Sequence, residues 1–499
     1  MQNNVSKGIF VNTFYNYLGS FSVSLLSFFI LFYLTRNLSI EQFGQFNLIL
    51  NTQFFFLLLL NLGLASMILR YVPEYIIKHD YRAAKRIILS SMGAVLFFGI
   101  FISILSAILS KIWPNFINRF FLAGYLFLVS LLGILRAEVG ICEAAFGSFL
   151  KQGYKILFEV LGTILKLILF ISSLKFGFGL FGIVISIGLV DIFLIIIYFL
   201  RINFLLSKQG PGLNRIELER KRIIKFSFKE YIAKLLSFFW YTKIDAYIIN
   251  FFLGAASTGI FYFVVTIVSM LTDYMPGSVM QPISQAIFSR QYAKYESQRE
   301  LCYLFKLNNK LNAFFVFPVF IVFPLVIDKI LIIFFKKYLV SLFLFPILLF
   351  FMAFYIFSMP VRNIVIALEK NEITIFSGAV IFYKIPMAIF LTKNFGLSGA
   401  AFAVGSSLFV YFLIQLLLTR RLIKIRYPWL SFFKILMNSL IAALAILLIR
   451  PLITNIFTLI LALFLAFIVY LVSSFFNKAF EEYDRNLLNK AFKKPVWIF

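Results

Sequence analysis

The strongest constraint on this chain is a set of long apolar runs that contain no Asp, Glu, Lys or Arg: Gly8 to Thr35, Gln42 to Leu69, Ile87 to Ser110, Ala246 to Thr272, Tyr338 to Val361, Asn394 to Thr419 and Pro451 to Asn477. A helix needs about 20 residues to cross the roughly 30 Å hydrocarbon layer of a bilayer, and each run is that long. Hydrocarbon offers no water to backbone N–H and C=O groups, so a spanning segment must be a helix or a strand of a closed barrel. The runs lack the period-two alternation of barrel strands. The chain reads as an all-α polytopic membrane protein.

Adding the segments interrupted by single charges gives about fourteen transmembrane helices, near 10–34, 45–69, 87–109, 120–138, 154–174, 180–200, 228–253, 258–280, 311–335, 341–362, 374–392, 398–418, 434–449 and 454–476. With the N-terminus inside, the inner loops and the helix ends beside them take most of the 47 Lys and Arg residues. The outer loops hold only Arg36, Lys111, Arg119, Lys175, Lys336, Lys337, Lys393 and Arg450. This bias predicts a multi-pass protein of the cytoplasmic (inner) membrane with both termini in the cytoplasm. The first run is a full span with no small-residue cleavage site behind it, so no cleavable signal peptide is expected. A net charge of +27 would suggest nucleic acid in a soluble protein. Here the cations flank apolar spans, so topology explains them and no nucleic-acid partner is expected.

The outer loops are all short, leaving no room for the large external domains on which membrane glycosyltransferases and polymerases build their sites. No G-x-x-x-x-G-K-[ST] run, Ser-His-Asp set, metal-spaced Cys/His cluster or dinucleotide fingerprint occurs. Cys142 and Cys302 lie near cytoplasmic helix ends and read as small apolar side chains, and the single histidine, His79, sits in a charged loop. The expected activity is movement rather than bond-making: no enzyme, no cofactor and no metal.

An internal repeat supports transport. Leu38-Ser39-Ile40-Glu41-Gln42-Phe43-Gly44-Gln45-Phe46 aligns with Leu253-Gly254-Ala255-Ala256-Ser257-Thr258-Gly259-Ile260-Phe261, matching Leu, Gly and Phe. Lys175-Phe176-Gly177-Phe178-Gly179 similarly echoes Lys393-Asn394-Phe395-Gly396. An even number of spans per copy gives two pseudo-symmetric six-helix lobes of one orientation, the architecture of alternating access. The expected organisation is an N-lobe over 1–206, a linker over 207–227 carrying an amphipathic surface helix, a C-lobe over 228–420, and an appended helix pair with a cytoplasmic tail over 421–499.

A charge at mid-membrane costs about 2.5–3.5 kcal/mol on insertion scales, so it faces a cavity or a partner. Lys166, Lys243 and Lys384 are the cationic candidates for a substrate cavity, and Glu159, Asp191 and Asp245 are the acids that could carry a coupling H+ or Na+. Glu159 and Lys166 are seven residues apart and share a helix face. Lys166 either contacts substrate or makes a buried pair with Asp191. Lys243 and Asp245 diverge by about 200° around a helix and so need separate partners. Asn16, among the Ser, Thr and Asn side chains of the first span, could reach sugar hydroxyls or pack closely against neighbouring helices.

The chain resembles the Wzx-type oligosaccharide-lipid flippases of the multidrug/oligosaccharidyl-lipid/polysaccharide (MOP) exporter superfamily. The resemblance rests on Leu34-Thr35-Arg36-Asn37-Leu38-Ser39 leading to Glu41-Gln42-Phe43-Gly44, on Gly63, and on Arg70-Tyr71-Val72-Pro73-Glu74. It continues through Asp245, Gly259, Tyr262, Pro282 and Phe288-Ser289, and spans roughly residues 8 to 420. It implies translocation of a polyprenyl-diphosphate-linked oligosaccharide across the membrane for surface polysaccharide (O-antigen, capsule or exopolysaccharide), with membrane lipid and other polysaccharide-assembly proteins as partners. Cations in the cavity suit a diphosphate or acidic sugar. The alternatives are a MATE-like drug or cation antiporter, which should show an acid-dominated cavity, and a non-transporting polysaccharide-assembly protein.

Overall fold

A computed structural model describes the backbone over residues 2–77, 80–115, 122–149, 152–207, 220–240, 243–273, 298–368, 370, 372–492 and 497–499, with isolated positions at 117, 275, 278, 284, 287 and 288. All regular structure among these residues is helical. Two compact units divide the chain at Gly259 and Ile260.

The first unit contains α1 (Gln2–Asn37), α2 (Ile40–Asn61), α3 (Leu64–Ile77), α4 (Tyr81–Ile112), α5 (Ala123–Ser148), α6 (Gln152–Lys175), α7 (Gly179–Ser207), α8 (Arg220–Trp240) and the first part of α9 (Asp245–Asp273). The predicted linker over 207–227 lies mostly outside the described residues; its last part opens α8. Ser39 starts α2 through a capping box: its hydroxyl accepts from the Gln42 N–H at 3.1 Å, and the Gln42 side chain accepts from the Ser39 N–H at 3.0 Å. α5 is central and packs against α2, α3, α4 and α7, while α1 lies on α6. Phe146, Phe158 and Tyr198 form an aromatic knot with ring centroids 5.2–6.0 Å apart, fastening α5, α6 and α7.

The span expected over 45–69 is two helices. Leu62 (φ 44°) and Gly63 (φ 73°) both take the left-handed conformation and end α2. The freed carbonyls find partners on α8: the Ser227 hydroxyl donates to Leu62 O at 2.6 Å and the Tyr231 hydroxyl to Leu59 O at 3.3 Å. A Cβ on Gly63 would collide with the Ser227 carbonyl, so the break and the α8 contact require glycine together. The span expected over 228–253 is likewise divided, with α8 ending at Trp240 and α9 starting at Asp245. Asp245 then occupies the first turn of α9, where the exposed N–H groups favour a carboxylate.

The second unit comprises the rest of α9, α10 (Gln298–Phe334), α11 (Leu344–Ala367), the short α12 (Glu372–Gly378), α13 (Ile381–Arg420), α14 (Trp429–Ile449), α15 (Ile456–Asn477) and α16 (Glu482–Phe492). α10 packs on α11 and α14, α11 on α13, and α14 on α15. The Tyr470 hydroxyl donates to Phe314 O at 2.6 Å and ties α15 to α10. Trp497 and Phe499 stack around the same Phe314 ring.

Among the described residues, eleven helices are long and apolar enough to cross a membrane, with Phe21–Asn37 a shorter apolar helix. The chain is a multi-pass membrane protein. Two of these runs, α9 and α13, are each two helices meeting at a non-helical glycine, Gly254 (φ 81°, ψ 176°) and Gly396 (φ 61°, ψ −140°), at the turns expected between spans there, so the number eleven counts those spans merged. Large side chains such as Phe97, Phe101 and Leu448 stand exposed on the outside of these helices, as a lipid-facing surface requires.

Candidate functional site

The first unit holds a polar cavity of about 450 Å³, lined by Gln53 of α2, Arg136 and Glu143 of α5, Glu159, Thr163 and Lys166 of α6, and Asp191 of α7. Apolar Val23, Leu50, Ile187, Val190 and Leu194 complete the wall. The spacing of the polar residues produces this convergence. Arg136 and Glu143, like Glu159 and Lys166, are seven residues apart and so project from one face of their helices.

Arg136 organises the charges. Its Nη1 lies 3.4 Å from Asp191 Oδ1, and its Nη2 lies 3.7 Å from Glu143 Oε1. Gln53 Nε2 adds a second donor to Asp191, at 3.4 Å from Oδ2, and also donates to Leu132 O at 3.2 Å. Lys155 bridges Glu143 (3.7 Å) and Glu159 (3.3 Å) at the rim. Asp191 is buried, so its charge depends on Arg136 and Gln53 for compensation. Each lining acid therefore has a cation within ion-pair distance. Lys166 does not: among the described residues no carboxylate lies within ion-pair distance of its ammonium, which sits 5.4 Å above the Phe170 ring.

Of the residues singled out in the sequence, Lys166, Glu159 and Asp191 meet in this cavity. Asp191 makes its close ion pair with Arg136, and Lys166 attracts it from beyond ion-pair distance. Lys243 lies in the turn before α9, 5.4 Å above the Phe54 ring, and Asp245 follows it at the helix start. Both are close along α2 to Gln53, since the Tyr247 hydroxyl donates to Thr52 at 3.3 Å, but neither lines the cavity. Lys384 belongs to the second unit, where its side chain is fully buried and held in contacts. Asn16 falls within α1, with its side chain outside the described residues.

Arg136, Glu143 and Gln53 were missed. The fourth span was expected to end at 138, which made Arg136 a helix-end cation of the kind the inner-loop bias explains, whereas α5 runs on to Ser148. The seven-residue spacing of Arg136 and Glu143 was the available signal. Gln53 carried none, being an uncharged residue in an apolar run.

The two glycines aligned by the internal repeat, Gly44 and Gly259, meet in this unit. A Cβ on Gly44 would strike the Ala255 carbonyl, and one on Gly259 would strike the Ile40 carbonyl, so α2 and α9 cross backbone to backbone. The second echo also has a structural counterpart: Gly177, Gly179 and Gly396 all have positive φ.

A family model described as "Polysaccharide biosynthesis protein" matches residues 9–288. No curated protein matches the chain. Among solved structures, "Lipid II flippase MurJ, inward closed conformation" superposes with a TM-score of 0.69 at 17% identity, over 98% of this chain and 99% of that one. "Inward-facing conformation of a multidrug resistance MATE family transporter of the MOP superfamily" gives 0.61 at 16% identity, over 79% and 94%. A structure of the MATE multidrug transporter DinF-BH gives 0.58 at 15% identity, over 83% and 95%. At these identities the likeness establishes the fold alone, which the chain shares with these transporters.

Proposed function

Because this chain belongs to the polysaccharide biosynthesis protein family and has the MOP transporter fold, we propose that it is a flippase for polyprenyl-diphosphate-linked oligosaccharide repeat units of a surface polysaccharide. It works in the cytoplasmic membrane with both termini in the cytoplasm, by alternating access coupled to an ion gradient. The observation that carries this reading is the Lys166 ammonium, which stands in the polar cavity outside its close ion pairs. Three acids (Glu143, Glu159 and Asp191) and three cations (Arg136, Lys155 and Lys166) balance there, with Arg136 and Lys155 taking the close ion pairs and Lys166 standing outside them. A cation held in a part-apolar setting attracts a diphosphate or an acidic sugar.

In this mechanism the headgroup enters from the inner leaflet while its polyprenyl tail stays in lipid. Lys166 offsets the headgroup charge, and Gln53 and Thr163 offer hydrogen bonds to sugar hydroxyls as the protein reorients. Arg136 keeps Asp191 and Glu143 compensated throughout, which leaves the Lys166 ammonium as the cation open to a substrate anion.

The test is translocation in proteoliposomes of a fluorescent polyprenyl-diphosphate oligosaccharide, followed by access of an impermeant quencher. Protein-dependent flipping that is lost in Lys166→Met supports the proposal. Failure of the folded protein to flip several such glycans under an imposed ion gradient, together with export of cationic dyes, overturns it in favour of the antiporter.

A further inference from the structure

Glu138 is the least expected charge in the molecule. It stands past the middle of α5, is 3% exposed, and among the described residues has no hydrogen-bond partner for either carboxyl oxygen. It follows Arg136 by two residues, about 200° around the helix, and therefore points away from the polar cavity that Arg136 faces. Cys142, one turn further on the Glu138 side, is wholly buried in the apolar core that α5 shares with α3 and α4, among Met67, Ile68, Ala84, Ile87 and Ile88.

Among the described residues the surroundings hold no counter-charge. α4 has no charged residue between Arg86 and Lys111, and α2 has none after Glu41. From α3 the buried titratable groups are Tyr71 and Tyr75, with Arg70 and Glu74 paired to each other at 3.8 Å. The charges of α6 and α7 that face α5, namely Lys155, Glu159, Lys166 and Asp191, belong to the polar cavity or its rim on the other side. On α5 itself Glu143 pairs with Arg136 and Lys155. Cys142 is the titratable neighbour within electrostatic reach of Glu138.

An ionised carboxylate in such a place is strongly penalised, because nothing repays its lost hydration. The neutral acid is the form this packing tolerates. We infer that Glu138 is a proton-carrying carboxyl, neutral in this arrangement and ionised when the cycle admits water to the α3–α4 side of α5. The step makes and breaks one O–H bond: the carboxylate takes a proton from hydronium on one side, and the acid returns it to water on the other. As the coupling group of the transporter this role rests on the flippase reading; its protonation does not. Glu138 thus adds to the sequence-derived acids one that lies outside the cavity, separating the proton site from the substrate site.

The test has two arms. Infrared spectra of the full chain in an ester-free maltoside micelle at neutral pH should show the carbonyl stretch of a neutral carboxylic acid. That band should be lost in Glu138→Gln and kept in Asp191→Asn. No such band, or a band unchanged in Glu138→Gln, overturns the inference whatever the protein transports. In proteoliposomes, an imposed proton gradient should accelerate flipping by the parent chain, and Glu138→Gln should lose that acceleration. An unchanged gradient response in Glu138→Gln overturns the coupling role. Absence of flipping by the parent chain overturns the function proposed above and leaves the infrared result standing.

Discussion

Arg136 and Asp191 face each other across the α5–α7 packing at 3.4 Å, and each is the other's main compensation. Asp191 is 4% exposed and Arg136 also serves Glu143, so the two residues are not interchangeable in energetic terms. Removing Arg136 strands a buried carboxylate, whereas removing the Asp191 charge leaves Arg136 with Glu143. Arg136→Ala should therefore lower stability by about 3–5 kcal/mol and Asp191→Asn by distinctly less. Thermal unfolding in detergent distinguishes them; equal losses would mean that Arg136 draws its worth from packing.

Lys166 predicts the opposite pairing of effects. Among the described residues its ammonium has no carboxylate within ion-pair distance, and Asp191 keeps Arg136, so Lys166→Met should leave thermal stability close to that of the parent chain. Flipping should fall by roughly 10–100-fold, the loss expected when a charge-assisted bond worth about 1.5–3 kcal/mol is removed. Lys166→Arg, which keeps the charge, should recover part of the rate. A destabilised Lys166→Met with normal flipping per folded molecule would assign the residue to structure.

What the sequence made legible follows the physics of each feature. Hydrocarbon length and the Lys/Arg bias act through composition alone, so the multi-pass helical class is legible from the residue pattern itself. Lys166, Glu159 and Asp191 announced themselves because an intramembrane charge is costly wherever it points. Arg136 and Glu143 were hidden because α5 extends ten residues beyond its expected end, and a charge just past a span looks like a topology signal. The break at Leu62–Gly63 was hidden for another reason. Leu is a poor marker of left-handed backbone, and the stabilising donors Ser227 and Tyr231 come from a helix far along the chain.

The crossing of α2 and α9 makes a prediction from glycine geometry. Gly44→Ala and Gly259→Ala each force a methyl group against a backbone carbonyl that cannot rotate away. Each should cost about 1–3 kcal/mol, as overpacking does in close-packed interiors. Gly93→Ala and Gly140→Ala, where no atom lies within 4 Å of the new Cβ, should be neutral or gain roughly 0.5–1 kcal/mol from helix propensity. Denaturation midpoints of the four variants, measured side by side, check this. A harmless Gly44→Ala would show that the crossing can open without cost.

The second unit supplies a charge pair whose disruption should be visible at one end of the molecule. Lys310 of α10 is buried and donates to Asp484 at 2.7 Å and to Glu481 at 3.0 Å, while the Tyr303 hydroxyl donates to Asp484 at 2.8 Å. Glu481 is largely exposed and contributes little, so the weight falls on Asp484, which is 2% exposed. Asp484→Ala leaves the Lys310 ammonium buried without its main counter-charge, at a cost of about 3–5 kcal/mol. The strain should be relieved by releasing α16 from α10 before the rest of the unit unfolds, because the ties left are apolar and aromatic contacts at the edge of the core, among them Tyr303 with Tyr483 and Phe314 with Phe480, Trp497 and Phe499. Limited proteolysis should therefore cut Asp484→Ala near residue 480 under conditions that leave the parent chain intact. Replacing both partners together, as in Lys310→Met with Asp484→Leu, removes the charge from both sides and should restore resistance. If the double variant is as labile as Asp484→Ala, the attachment of α16 depends on the ion pair itself rather than on avoiding an uncompensated buried charge.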